Sequence, residues 1–124
     1  MYQIDDVKRV IQKVAQRIHQ EKDYLGELDG RSGDGDLGFS MEAAFTAVWN
    51  TAKEYNGTQI SELLMKAAMN CNKAAPSTMG TLMSAGIMAI AKEVKGKDGL
   101  ENGDVVRLPG IFAQAIMARG GAKL

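Results

Sequence analysis

An acidic, glycine-laced segment, Leu28-Asp29-Gly30-Arg31-Ser32-Gly33-Asp34-Gly35-Asp36-Leu37-Gly38, lies between two stretches of helical periodicity and constrains the chain more than any other part of it. Its glycines let the backbone turn sharply and pass close to a ligand. Asp29, Asp34 and Asp36 fall within eight residues, so their carboxylates can converge instead of pointing apart. Such a cluster repels itself unless a cation sits inside it. Hard oxygen ligands on a loop suit Mg²⁺ or Ca²⁺, and a Mg²⁺ held by a few carboxylates completes its octahedron with water and phosphate oxygens. The segment predicts a metal-phosphate site on a connection between two helices.

The flanking sequence reads as helices throughout. Val7, Val10, Ile11, Val14 and Ile18 recur at three- and four-residue steps and predict an amphipathic first helix. Met41, Ala44, Phe45, Val48, Trp49 and Ala52 give the second an apolar face, Gly57 closes that segment, and Thr58 is a candidate N-cap for the third. Ile60, Leu63, Leu64, Ala67, Ala68 and Cys71 repeat the pattern. A break at Ala74-Ala75-Pro76-Ser77-Thr78 precedes a fourth helix carrying Met79, Leu82, Met83, Ile87, Ile90 and Val94. A fifth runs from Asp104 to Arg119, with its firm part expected to begin near Pro109, where the missing N–H disturbs the opening turns. No convincing strand, internal repeat or low-complexity segment is present. The expected architecture is all-α, an antiparallel helical bundle in one domain over residues 1–124.

Composition narrows the functional classes. At 124 residues the chain is at most one ordinary domain, and 45% apolar residues suffice for a core. Fifteen basic residues balance fifteen acidic ones, so there is no basic stripe of the kind that holds nucleic acid or an anionic membrane. The single cysteine, Cys71, sits in a helical apolar pattern and reads as a buried structural thiol, in keeping with a reducing cytoplasm. The start is acidic where a signal peptide needs cations, and the longest mostly apolar stretch, Thr81 to Ala91, is too short to span a bilayer. The protein is expected to be soluble, cytoplasmic and unexported.

Rival readings of the acidic segment fail or stay bland. Gly33 to Gly38 matches the spacing GxGxxG but follows the polar run Glu21 to Glu27, where a dinucleotide fold needs a β-strand. An EF-hand counted from Asp34 would place Gly38 and Phe45 at ligand positions that require oxygens. A solvated acidic turn that caps the next helix stays open on this segment alone. A second constellation changes the balance. Ala74-Ala75-Pro76-Ser77-Thr78-Met79-Gly80-Thr81 puts small and hydroxylated residues at a helix start, where free N–H groups and the positive dipole end favour a phosphate. Gly38-Phe39-Ser40 does the same at the second helix, so two helix N-termini could face one anion beside the acidic loop.

Together, Leu28-Asp29, Gly33-Asp34-Gly35-Asp36-Leu37-Gly38, Ser40-Met41, Pro76-Ser77-Thr78-Met79-Gly80-Thr81 and Arg119-Gly120-Gly121-Ala122-Lys123 resemble, in order, the nucleotide-binding L subunit or L domain of dihydroxyacetone kinases. The resemblance implies an eight-helix barrel that holds ADP or ATP at one end, with two Mg²⁺ ions between three aspartates and the phosphates. It implies Asp29, Asp34 and Asp36 as metal ligands, and Leu37, Gly38, Phe39, Ser40, Ala74, Ala75, Ser77, Thr78 and Gly120 as nucleotide contacts. The implied chemistry is phosphoryl transfer to a small hydroxy-ketone bound by a separate K subunit, with a phosphocarrier M subunit recharging the nucleotide in one branch of the family. No catalytic base on this chain is needed. His19, the only histidine, matches no family motif and is expected in a surface or interhelical role.

Two departures qualify the expectation. Leu37 stands where many members of the family have histidine, which removes a polar group from the site's edge. After Lys123 the family continues into a Gly-Asp-Lys-Thr segment and further helices, whereas the sequence stops at Leu124. A chain of this length is expected to be inactive alone and to leave an apolar helical edge open. That edge suggests a homo-oligomer, or a second functional class: an inactive interaction module that docks to a partner protein.

Overall fold

The structure, a computed structural model, describes residues 1–30 and 37–120, with side chains described at 1–27 and 37–120. Five helices follow one another: α1 (Ile4–Gly30), α2 (Leu37–Glu54), α3 (Ile60–Ala74), α4 (Thr78–Glu93) and α5 (Asn102–Gly120). Among the described residues the only β pairing is an isolated antiparallel bridge between Tyr2 and Leu100, so the expected all-α class is observed. Each helix packs on the next in sequence, and α2 also touches α4.

Side-chain pairs fix the relative directions of packed helices. Gly38 at the start of α2 lies against Lys22 and Gly26 late in α1. Ser61 early in α3 donates to the Ala91 carbonyl late in α4 at 2.7 Å. At the other end of that pair the Cys71 thiol approaches the Gly80 carbonyl at 3.9 Å. Gly86 and Phe112 join α4 to α5, as do Glu93 and Arg107 at 3.6 Å. The C-terminal part of α1 therefore lies beside the start of α2, and the C-termini of α3 and α5 beside the start of α4. The short connection 55–59 joins the two groups, with Asn70 late in α3 donating to Thr51 late in α2 at 2.9 Å.

The core is centred on α3, whose stripe from Ile60 through Leu63, Leu64, Ala67, Ala68 and Cys71 is buried. Ile60 and Leu63 are wholly inaccessible, and burying such side chains contributes about 1.5–3 kcal/mol each. Cys71 is the buried thiol expected, and its burial pushes its pKa up, which keeps it protonated and unreactive. The first helix differs from expectation: Val10 and Val14, read as part of its apolar stripe, are 61% and 37% exposed. The reason is that α1 packs extensively on α2 alone. Val10 and Val14 instead line an apolar groove of about 330 Å³ that Leu108 and Phe112 of α5 border from the other side. The bridge from Tyr2 to Leu100, with N–H···O distances of 2.7 and 2.8 Å, ties the chain start to the loop before α5.

Two boundary expectations are corrected. Thr58 does not cap α3. The N-cap is Gln59, without a side-chain cap, and its own N–H donates to the Tyr55 hydroxyl at 3.2 Å. Pro109 does not delay α5, which is continuous from Asn102. An interior proline costs a helix about 3 kcal/mol, but Asp104 secures the turns before it. Its carboxylate reaches back to the Glu101 N–H at 3.0 Å and also binds Lys97 at 2.5 Å and Arg107 at 2.7 Å. Val105 and Leu108 pack the same turns onto the core.

The hydrogen bond from Lys97, the Glu101 N–H and Arg107 hold the Asp104 carboxyl at about 2, below its ordinary 3.8. A depressed carboxylate pKa contributes stability that is complete above the unfolded value and is lost as pH falls through the folded one. In urea unfolding, Asp104→Asn should therefore lower the midpoint at pH 7, and its difference from wild type should shrink as pH falls from about 4 to about 2. Gly38 supports a second expectation. A Cβ there would lie 1.8 Å from the Lys22 carbonyl oxygen. Gly38→Ala should cost about 3 kcal/mol in the same assay, at the upper end for overpacking, because backbone must move. Gly110→Ala, in α5 with nothing within 4 Å of its Cβ, should stabilise by about 0.5–1 kcal/mol.

Candidate functional site

At the starts of α2 and α4, two groups of sequence-predicted residues are built by different means. The first is the opening turn of α2. Leu37 and Ser40 are half-buried, Gly38 is buried, and Phe39 is 78% exposed. Gly38 is in place because its missing side chain lets α2 rest on the α1 backbone at Lys22 and Gly26. Within the helix itself the first turn carries no acidic residue, and its N–H groups and dipole end point toward the acidic segment that precedes it in sequence.

The second group is the α3–α4 connection. Ala74 ends α3, and Ala75, buried, is its C-cap, donating its N–H to the Cys71 carbonyl at 3.0 Å. The chain then doubles back, with the Ser77 N–H bonded to the Ala75 carbonyl at 2.7 Å. Ser77 is the N-cap of α4, and its hydroxyl accepts from the Gly80 N–H at 3.1 Å. The hydroxyl is thus already engaged in capping, while exposed Thr78 opens the helix. Gly80 permits this tight start, since a Cβ there would lie 1.8 Å from the Ala75 carbonyl oxygen. No acidic residue lies in the first turn of α4 either. Gly120, the last residue of α5, comes to this same place: its Cβ position is 3.4 Å from Leu82 in the second turn of α4.

Of the predicted metal ligands, Asp34 and Asp36 lie outside the described residues, as does the side chain of Asp29, whose backbone falls in the last turn of α1. Among the described residues no group of three or more His, Cys, Asp or Glu side chains is placed to hold a metal. In sequence, Asp29 lies in the last turn of α1 while Asp34 and Asp36 belong to the connection to α2, and three carboxylates are hard oxygen donors of the kind that a divalent cation takes. The described side chains also include no helix long and apolar enough to cross a membrane.

The sequence reading missed a polar contact between α1 and α2. Glu42, in the second turn of α2, accepts from His19 Nδ1 and lies 3.4 Å from Lys22 Nζ. The His19 bond first, and Lys22 after it, outweigh the partial burial that would raise the Glu42 pKa, and hold it below its ordinary value. His19 is thus interhelical, one of the two roles expected for it. The only available signal was the three-residue spacing of His19 and Lys22, which puts both on one face of α1.

Comparison with known proteins identifies the family. Over 124 residues, the whole of this chain and 62% of the relative, it is 29% identical to the PTS-dependent dihydroxyacetone kinase, ADP-binding subunit DhaL, of Lactococcus lactis subsp. lactis. Over 117 residues, 93% of this chain and 54% of the relative, it is 29% identical to the PEP-dependent dihydroxyacetone kinase 2, ADP-binding subunit DhaL, of Listeria innocua serovar 6a. The chain therefore spans less than two thirds of the length of these curated relatives. The match to the family model begins within the acidic segment, after Asp29, and runs through both helix starts: residues 31–124 fit the DAK2 domain, and the chain belongs to that family.

Proposed function

We propose that this chain is an L-type ADP/ATP-binding subunit or domain of a dihydroxyacetone kinase, using Mg²⁺ and donating phosphate to a small hydroxy-ketone held by a separate K subunit. The observation that carries the reading is the DAK2-domain match over residues 31–124, supported by the glycine-permitted starts of α2 at Gly38 and of α4 at Gly80, with the end of α5 beside Leu82. Both relatives are named as ADP-binding subunits.

In this reading Asp29, Asp34 and Asp36 hold the metal, two ions in full occupancy. Leu37, Gly38, Phe39 and Ser40 meet the nucleotide at the start of α2, and Ala74, Ala75, Ser77 and Thr78 meet it at the start of α4, with Gly120 beside them. The bound Mg²⁺ would supply charge neutralisation at the phosphates. The chain's own part is positional. Backbone N–H groups of two helix starts orient phosphate oxygens, and the rigid caps at Ser77 and Gly80 spare the site any reorganisation when phosphate arrives. Leu37 makes the edge of the site apolar where a histidine would be polar. No side chain here is assigned as a proton acceptor, in keeping with a subunit whose acceptor substrate, and any phosphocarrier M subunit, come from other chains. The setting would be cytoplasmic.

A second reading is favoured by the apolar groove between α1 and α5, with Val10 61% exposed. There the chain acts as a docking module, through a partner protein or a second copy, and not as a nucleotide carrier.

Calorimetric titration with ADP at matched ionic strength separates the two. The nucleotide reading predicts heat of binding with Mg²⁺ and none with EDTA, and loss of that binding in Asp34→Ala with helical content by circular dichroism unchanged. Equal binding by Asp34→Ala and wild type would sink the metal assignment. Absence of binding by wild type in both buffers would favour the docking module.

A further inference from the structure

We infer that Glu42 is a positioning residue for the nucleotide end of the bundle, holding the start of α2 in phase with the end of α1 through His19 and Lys22. The inference rests on the nucleotide-binding reading above. Glu42 is not among the residues that the family resemblance brings to the nucleotide.

The geometry is specific. His19 and Lys22 lie three residues apart on α1 and meet the same oxygen, Oε2, of Glu42. The carboxylate is the most enclosed of the three side chains, 24% exposed against 67% for His19 and 39% for Lys22. Arg17–Glu21 and Lys66–Glu62 are different in kind, since each joins residues four apart on one helix and cannot affect how two helices meet. Glu42 joins two helices, and it does so one turn beyond Gly38.

Lys22 is what couples the two levels. Its carbonyl oxygen lies where a Cβ of Gly38 would be, and its ammonium is 3.4 Å from Glu42. Gly38 and Glu42, four residues apart, share one face of α2, so that face is held to the same residue of α1 by backbone contact and by charge. The backbone contact alone permits α2 to roll about the glycine, which offers no side chain to resist. The Glu42 carboxylate, about 6 Å further along the axis, supplies the lever that prevents it. Rolling α2 would turn its opening turn, Leu37 to Ser40, relative to the C-terminal end of α1. Phosphate and metal bridge these two elements in the proposed site, so affinity depends on their phase and not only on their presence.

The test uses Glu42→Gln, Glu42→Ala and the charge exchange Glu42→Lys with Lys22→Glu, each titrated with ADP in Mg²⁺, with urea midpoints and circular dichroism alongside. Glu42→Ala should weaken Mg²⁺-dependent ADP affinity about tenfold, and Glu42→Gln, which keeps the shape and loses the charge, by about threefold or more. Helical content should stay at the wild-type level, and the charge exchange should recover most of the affinity of Glu42→Ala. Affinities of both single variants within about twofold of wild type would overturn the inference while leaving the nucleotide reading intact. So would a loss that follows the urea midpoint across the set and is not recovered by the exchange. A wild-type chain that binds no Mg²⁺-ADP would overturn both, and is recognised before any variant is made.

Discussion

The site end of this molecule depends on the contact of α2 with the backbone of α1 at Gly38. A helix start normally keeps its neighbours at side-chain distance. Here the Cβ position of Gly38 is 1.8 Å from the Lys22 carbonyl oxygen, so the two helices meet backbone to backbone. The contact brings the opening turn of α2 alongside α1 four residues before α1 ends at Gly26's next turn, Gly30, and so determines both ends of the acidic segment at once. From there the arrangement propagates by ordinary packing. An adjoining face of α2 carries Ala44, Val48 and Ala52 into the core, which also takes in the buried stripe of α3 and Met83, Ile87 and Ala91 of α4.

The same logic makes the bundle asymmetric. The start of α4 is rigid by local means, through the Ser77 cap, the Ala75 turn and a glycine at residue 80. The start of α2 is held through α1, by Gly38 and by the Glu42 group. Farther away, the Tyr2–Leu100 bridge and the Asp104 network secure the loop before α5, while Val10 and Val14 border an open apolar groove. The two helix starts are thus held by different means, and the groove leaves apolar surface of α1 and α5 uncovered.

Helix existence was legible because each segment repeats apolar residues at three- and four-residue steps, and Ser77 at the start of α4 carried its own capping chemistry. Gln59, not Thr58, is the N-cap of α3, and its N–H is taken by the Tyr55 hydroxyl four residues earlier, a contact with no periodic signature. Pro109 was read by its own cost alone, without the neighbouring ties of Asp104 to Lys97 and to the Glu101 N–H that secure the turn before it. Exposure of Val10 and Val14 follows from which helices pack on α1, and a stripe of valines does not state its neighbour. For the site, small residues and hydroxyls at two helix starts were visible as types and spacing. The pairing of Glu42 with His19 and Lys22 was not, since it joins positions 20 or more apart through a register that only packing decides.

The central claim is that the acidic segment and the two helix starts serve one metal-nucleotide complex. Replacing Mg²⁺ by paramagnetic Mn²⁺ with ADP, and recording which backbone amide resonances broaden, tests it most directly. The account predicts broadening that centres on residues 29–40 and extends to Ser77–Thr81, with amides at the opposite end, such as Gln59 and Leu100, left sharp. Broadening centred elsewhere, for example on Asp5 and Asp6, or confined to the acidic segment with no effect at the start of α4, would contradict it.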